Sequence, residues 1–195
     1  MDIKNSMLLA NMMSSKGGGG GGIEYLQSDG AIYIPLCESG ETLNVKSFKL
    51  DIEFLNNPND KNIYFGTYYT VIGSYKSYGI IGKSDQVPNA ITFFDKTSTG
   101  QDITSMDRQI IEKSFSTQTT ADNTWGIFGG SYSLSFVPVV IGYAICKIWS
   151  LICYDENGNE VANLLPKEEN GVLGMYDSVR QKFIAGVGSG SFIAG

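Results

Sequence analysis

Asp51 and Glu53 are the carboxylates whose spacing comes nearest to chemistry. They stand two apart in the alternating stretch Phe48-Lys49-Leu50-Asp51-Ile52-Glu53-Phe54. On a strand they project from one face, roughly 6.5–7 Å apart. That separation falls between those of retaining and inverting glycoside-cleaving acid pairs. Only two acids stand there, with Lys49 in front, so a solvated strand face is the favoured reading. The chain has no histidine. This removes the commonest general base and metal ligand, and with it any Ser-His, Cys-His or His-zinc site. The cysteines Cys37, Cys146 and Cys153 have no CxxC spacing and an odd count. They predict neither a disulfide framework nor a zinc knuckle, and Cys146 and Cys153 sit in an apolar run where a thiol acts as a small buried hydrophobe.

Four tyrosines, Tyr68, Tyr69, Tyr75 and Tyr78, cluster within eleven residues. Aromatic rings stack on pyranose faces while amides and carboxylates fix the hydroxyls, so these four are the candidate glycan contacts. The competing reading is that alternate tyrosines merely cover a sheet. Trp125 and Trp149 are expected in the core, Trp149 because its strand is the most apolar. Asp155-Glu156-Asn157-Gly158-Asn159-Glu160 superficially suggests a calcium loop, but its glycine is fourth rather than sixth and the distal glutamate is missing, so a hairpin turn is expected. Asp85, Asp95 and Asp102 lie in expected loops with nothing to single them out. Gly188-x-Gly190 precedes no helix and is not a phosphate loop. No residue is assigned a catalytic or metal-binding role.

The elements that would position these residues are strands. The chain has 195 residues, with 24 glycines, 5 prolines, 11 tyrosines and 10 phenylalanines. Many glycines among aromatic and β-branched residues suit short strands and tight turns. Phe48, Leu50, Ile52 and Phe54 point one way and Lys49, Asp51 and Glu53 the other, giving one buried and one wet face. Strands are expected on both sides of Ser28-Asp29-Gly30, over Ile63–Ile72, Tyr78–Ile81, Ala90–Asp95, Arg108–Ser116 and Thr124–Phe128, and repeatedly over the last fifty residues. Asn157-Gly158 and Asn170-Gly171 mark turns. No long helical pattern follows residue 22, and about a dozen short strands imply a two-sheet sandwich or jelly roll. Phe136–Cys153 is apolar, but Pro138, Gly142 and Lys147 interrupt it, so two buried strands are expected rather than a membrane span. A globular part of this size buries roughly 70% of its unfolded surface and needs no staple.

Residues 1–16 form a separate piece in which Ile3, Met7, Leu8, Leu9, Met12 and Met13 carry the apolar character. Their roughly helical spacing fits a docking peptide that orders on a partner; a disordered tail is the equal alternative. Gly17–Gly22 are consecutive glycines, a flexible linker spanning about 20 Å extended, although glycine runs also pack closely against a partner's backbone. The sandwich is expected over 23–195. No secretion signal is read in the N-terminal residues. The net charge is −6 with no basic run, which argues against nucleic-acid binding.

Four stretches carry a family resemblance. Glu24-Tyr25-Leu26-Gln27-Ser28-Asp29-Gly30-Ala31-Ile32-Tyr33-Ile34 is similar to the opening "EYI-S-G-QYI" of concanavalin A-like, laminin-G-type sandwich domains found in gut bacteriophage and gut bacterial surface proteins. Lys147–Asp155 is similar to their "KIYSLKIYD". Gly171–Asp177 with Lys182-Phe183 is similar to "GV-GLYD…KFY", and Gly188–Phe192 to "GTGTF". After Tyr154 the common "LVRDF" is Glu160-Val161-Ala162-Asn163-Leu164, so any role of that arginine is absent. Glucanases of this fold resemble E-x-D-x-x-E or E-x-D-x-E, which Asp51 and Glu53 do not complete.

The resemblance implies a concanavalin A-like jelly-roll sandwich and a non-enzymatic virion structural protein, a head fiber, capsid decoration or tail component. Its partners would be other virion proteins, met through residues 1–22, and host or mucosal glycans. It would have no membrane or nucleic-acid partner and would form a homo-oligomer, as symmetric fibers and decorations often do. No cofactor is expected beyond calcium, which some relatives hold at a sandwich rim. A carbohydrate-binding module or lectin of a bacterial surface protein is the alternative, and a glycoside hydrolase the third reading.

Overall fold

A computed structural model describes residues 22–55, 62–71, 74–83, 90–95, 101–133 and 140–195, with the backbone alone at 68–71, 74–76, 83, 90, 132, 133 and 140. Residues 1–21, and with them the docking peptide and most of the glycine linker, lie outside the described residues, as does Asp85. The strands are β1 (Leu26–Ser28), β2 (Ile32–Pro35), β3 (Leu43–Phe54), β4 (Ile63–Val71), β5 (Ser74–Lys83) and β6 (Ala90–Asp95). They continue with β7 (Gln101–Ile103), β8 (Gln109–Ala121), β9 (Gly126–Ile127), β10 (Ser131–Ser133), β11 (Val140–Ile141) and β12 (Cys146–Tyr154). The last five are β13 (Glu160–Glu169), β14 (Val172–Asp177), β15 (Lys182–Ala185), β16 (Val187–Gly188) and β17 (Phe192–Ala194).

Two sheets face each other as a β-sandwich. In the first, β8, β3 and β12 lie side by side, and the far edge of β12 is shared by β13, which leads to β14 and β15, and by β1, which leads to β17. The second runs β16-β2-β9-β4-β5-β6-β7, with β10 beside β4 and β11 beyond it. The pairings are antiparallel apart from β10 with β4. The run that raised the membrane question contains β11 and the central strand β12, and no helix among the described residues is long and apolar enough to cross a membrane.

The alternation of β3 builds the core as expected. Phe48, Leu50, Ile52 and Phe54 are all at most 3% exposed. Two bulges then change which neighbours they meet. In β4, Ile63 pairs with Ile81 but Phe65 pairs with Ile80, so Tyr64 is an extra residue and both Tyr64 and Phe65 are buried. Their rings each reach 4.7 Å from a β3 ring, Tyr64 against Phe54 and Phe65 against Phe48. Such pairs each add about 0.5–1.5 kcal/mol beyond area burial. In β12, Ile148 pairs with Ile52 and Leu151 with Leu50, leaving Trp149 and Ser150 together opposite Asp51. Ile148 and Leu151 are both fully buried. The bulge therefore turns Trp149 to the outer face, against the expectation of a core tryptophan. Trp125 is in the core as expected, 2% exposed and ringed by Phe65, Tyr78 and Phe115.

The turns follow their chemistry. Asn170 and Gly171 both have positive φ, 54° and 79°, the requirement of a type I′ hairpin turn joining β13 to β14. Gly66 and Gly79 lie directly opposite each other in β4 and β5, at φ 115° and 108°. A Cβ on either would come well under 3.0 Å from the carbonyl oxygen across the ladder. At the sandwich entrance, the Glu24 and Tyr25 amides both donate to the Gly195 carbonyl, and β1 pairs on both edges with β12 and β17.

Candidate functional site

The outer face of the first sheet carries Asp51 and Glu53, as the alternation predicts. Each is engaged by a cation. Arg108 donates from Nε and Nη2 to the two Asp51 oxygens at 3.0 and 2.9 Å, and Lys147 Nζ donates to Glu53 Oε2 at 3.1 Å. Asp51 holds the Arg108 guanidinium above its ordinary value, first through that hydrogen bond. A glycosidic general acid needs a carboxyl kept neutral in apolar surroundings; here both carboxylates are paired with cations on the wet face of the sheet. Arg108 also covers Trp149, its guanidinium 4.0 Å from the ring centroid, while Tyr25 packs 5.0 Å from the same ring. The pair is thus part of a structural patch.

The other candidates are placed differently. Tyr78 does not face solvent: its ring stacks 5.7 Å from Trp125 and meets Phe115 edge-on at 5.7 Å, inside the sandwich. It shares a face of β5 with Ile80, which is fully buried, and that pairing is why it turns inward. The side chains of Tyr68, Tyr69 and Tyr75 lie outside the described residues; their backbone positions are opposite Ser77, Lys76 and Thr70 in the β4–β5 ladder. Asp95 accepts from the Ser116 amide, and Asp102 from the Thr92 hydroxyl. Asp155 folds back on its own loop, accepting from the Asn157 and Asn159 amides and the Asn159 side chain, which makes the segment the expected hairpin turn. Among the described residues no group of three or more Cys, Asp and Glu stands close enough to hold a metal. Cys37, Cys146 and Cys153 are buried free thiols, and burial raises the pKa of each.

A site that residue-by-residue reading missed lies on the same outer face, one strand row beyond Asp51. In the β3–β8 ladder Val45 pairs with Thr119 but Ser47 pairs with Ser114, so residues 115–118 bulge out opposite Lys46 alone. Lys46 Nζ fills the bulge, donating to the carbonyls of Phe115 at 2.6 Å and Ser116 at 2.7 Å. Asp95 Oδ2 accepts from the Ser116 amide at 2.7 Å, and Gln118 Oε1 from the Glu156 amide at 3.1 Å, which ties the bulge to the tip of the β12–β13 hairpin.

Beside this bulge Ser114, Ser47 and Tyr154 follow one another across the sheet, and Glu112, Lys49 and Ile152 form the next row. Two small serines facing each other leave a gap that the taller neighbours wall in. The result is a cleft of about 310 Å³ bounded by Tyr154, Lys49 and Glu112. Lys49 and Glu112 pair at 2.8 Å, which raises the lysine pKa. Burial, then the Glu160 charge, pushes the Tyr154 phenol up, so it is a neutral donor and acceptor at ordinary pH. Bulges that re-aim side chains concentrate at functional sites. No protein-family model, characterised protein or solved structure matches this chain.

Proposed function

We propose that the protein is a non-enzymatic bacteriophage virion component, a head fiber, capsid decoration or tail part, whose N-terminal peptide docks into the particle and whose sandwich faces outward. The observation that carries this reading is the division of the chain. Within the sandwich, the residues with chemistry to offer serve the fold: Asp51 and Glu53 in ion pairs, and the three cysteines in the core. Ahead of it stand sixteen residues with apolar Ile3, Met7, Leu8, Leu9, Met12 and Met13, then six glycines. That composition suits a tether better than a sheet. The linker joins the sandwich where β1 is hydrogen-bonded on both edges, a fixed anchorage for a leash. The resemblance to concanavalin A-like, laminin-G-type domains of gut phages supports the same reading.

Deleting residues 1–16 tests it. The truncated chain is expected to fold with an unchanged strand signature by circular dichroism yet to be missing from purified particles. Particles that incorporate the truncated chain at the full-length level would refute the tether. The second reading, glycan adhesion by the displayed sandwich, is favoured by the cleft between β3, β8 and β12.

A further inference from the structure

We infer that the cleft floored by Ser47 and Ser114 and walled by Tyr154, Lys49 and Glu112 binds a neutral saccharide. This rests on the adhesion reading of the sandwich and is independent of how the chain is tethered. At about 310 Å³, the cleft stands at the lower end of the roughly 300–1,000 Å³ usual for small-molecule sites. That suits a ligand of one or two sugar rings.

The polar groups of the lining match that chemistry. The hydroxyls of Ser47, Ser114 and Tyr154 have no hydrogen-bond partner among the described residues. Each both donates and accepts, as sugar hydroxyls do. Lys49 contributes donors only and Glu112 acceptors only, and at 2.8 Å their charges cancel. Lys113 also lines the cleft, but its ammonium turns away to Gln101 Oε1 at 2.5 Å and towards the Phe93 ring, and Lys46 beside it is held by the Phe115 and Ser116 carbonyls. A sialylated, sulfated or phosphorylated ligand would meet the Glu112 carboxylate with no free ammonium turned to it, so the arrangement favours an uncharged ligand. The Tyr154 ring supplies the apolar wall on which the C–H face of a pyranose packs.

The site is also held in shape before any ligand arrives. The β8 bulge beside it is braced from three directions: by Lys46 of β3, by Asp95 of β6 and by the Glu156 amide of the β12–β13 turn. A bulge of this size is not needed to pair β3 with β8. Bracing it lowers the ordering cost of binding.

A glycan array of neutral gluco-, galacto-, manno- and xylo-oligosaccharides alongside sialylated and sulfated glycans, probed with the full chain, tests the inference. The expected result is binding to at least one neutral series and none to the charged glycans. Tyr154→Ala and Ser114→Leu, the latter filling the cleft floor from an exposed position, should each weaken that binding at least tenfold without moving the melting temperature. Should Tyr154→Ala unfold the protein, Ser114→Leu alone carries the test. Binding that survives both substitutions overturns the site while leaving adhesion standing, binding confined to charged glycans overturns the ligand class, and no binding to any glycan overturns the site and the adhesion reading together. Particle incorporation remains the separate test of the virion reading.

Discussion

Replacing Gly79 by alanine tests the close approach at the centre of the second sheet. Gly79 sits at φ 108°, and a Cβ there would lie well under 3.0 Å from the Phe65 carbonyl oxygen. The backbone conformation alone costs an L-residue about 1–3 kcal/mol. The clash is with backbone rather than a flexible side chain, so β4 must move away, disturbing Phe65 and its 4.7 Å contact with Phe48. Forced shifts of this kind cost about 1–3 kcal/mol more. The sum, about 2–6 kcal/mol, is a large part of the roughly 5–15 kcal/mol that holds a domain together.

Gly158→Ala is the matched control. Gly158 has φ 81° with no atom near the added Cβ, so it carries only the conformational cost, about 1–2 kcal/mol. Both substitutions reduce the freedom of the unfolded chain equally, so that term cancels between them. In thermal melts followed by circular dichroism, about 2–4 °C is lost per kcal/mol for a chain of this size. With the conformational cost common to both, the extra clash of about 1–3 kcal/mol is expected to make Gly79→Ala melt roughly 2–12 °C below Gly158→Ala. Two variants melting within about 2 °C of each other would refute the argument that the Gly66–Gly79 approach is close enough to exclude a methyl group.

Two further outcomes follow from the titrating groups. Asp29 accepts from the Ala31 and Ser191 amides and from the Ser191 hydroxyl, and the Ser191 amide bond chiefly holds its pKa below the ordinary carboxylate value. A depressed folded pKa stabilises above the unfolded value and is lost as pH falls through the folded one. The urea midpoint of Asp29→Asn should thus lie below that of the parent at pH 7 and converge on it towards pH 3; a gap constant with pH would contradict this. Burial raises the pKa of Cys37, Cys146 and Cys153, and the thiolate is the reactive form. A disulfide exchange reagent at pH 8 should release no thiol from the native protein and all three in denaturant; one fast thiol in the native state would show that its cysteine is reachable.

Much of the fold was legible because it rests on local rules. The period of two in Phe48–Phe54 announced both faces of β3, and Asn170-Gly171 announced its turn because few other pairs accept positive φ twice. Trp149 was misplaced for a physical reason. Its strand is apolar on both faces, so alternation has no contrast to read, and a bulge shifts the phase between Ile148 and Leu151. Tyr78 was misread although a signal existed: it is two residues from Ile80, a position that marks the inward face. The cleft left no local signal. Ser47, Ser114 and Tyr154 are ordinary wet-face residues until register aligns them.

What the chain determines unaided is therefore its strands, their turns, their wet and dry faces and an N-terminal segment of different composition, because periodicity and turn geometry act between residues a few positions apart. What only the tertiary structure decides is which wet residues meet. Asp51 finds Arg108 across 57 positions of sequence, and Glu53 finds Lys147 across 94. Those meetings depend on strand order and on register shifts within the ladders, and bulges are the balance of long-range packing on both faces of a sheet. The same balance opens the cleft at Ser47 and Ser114.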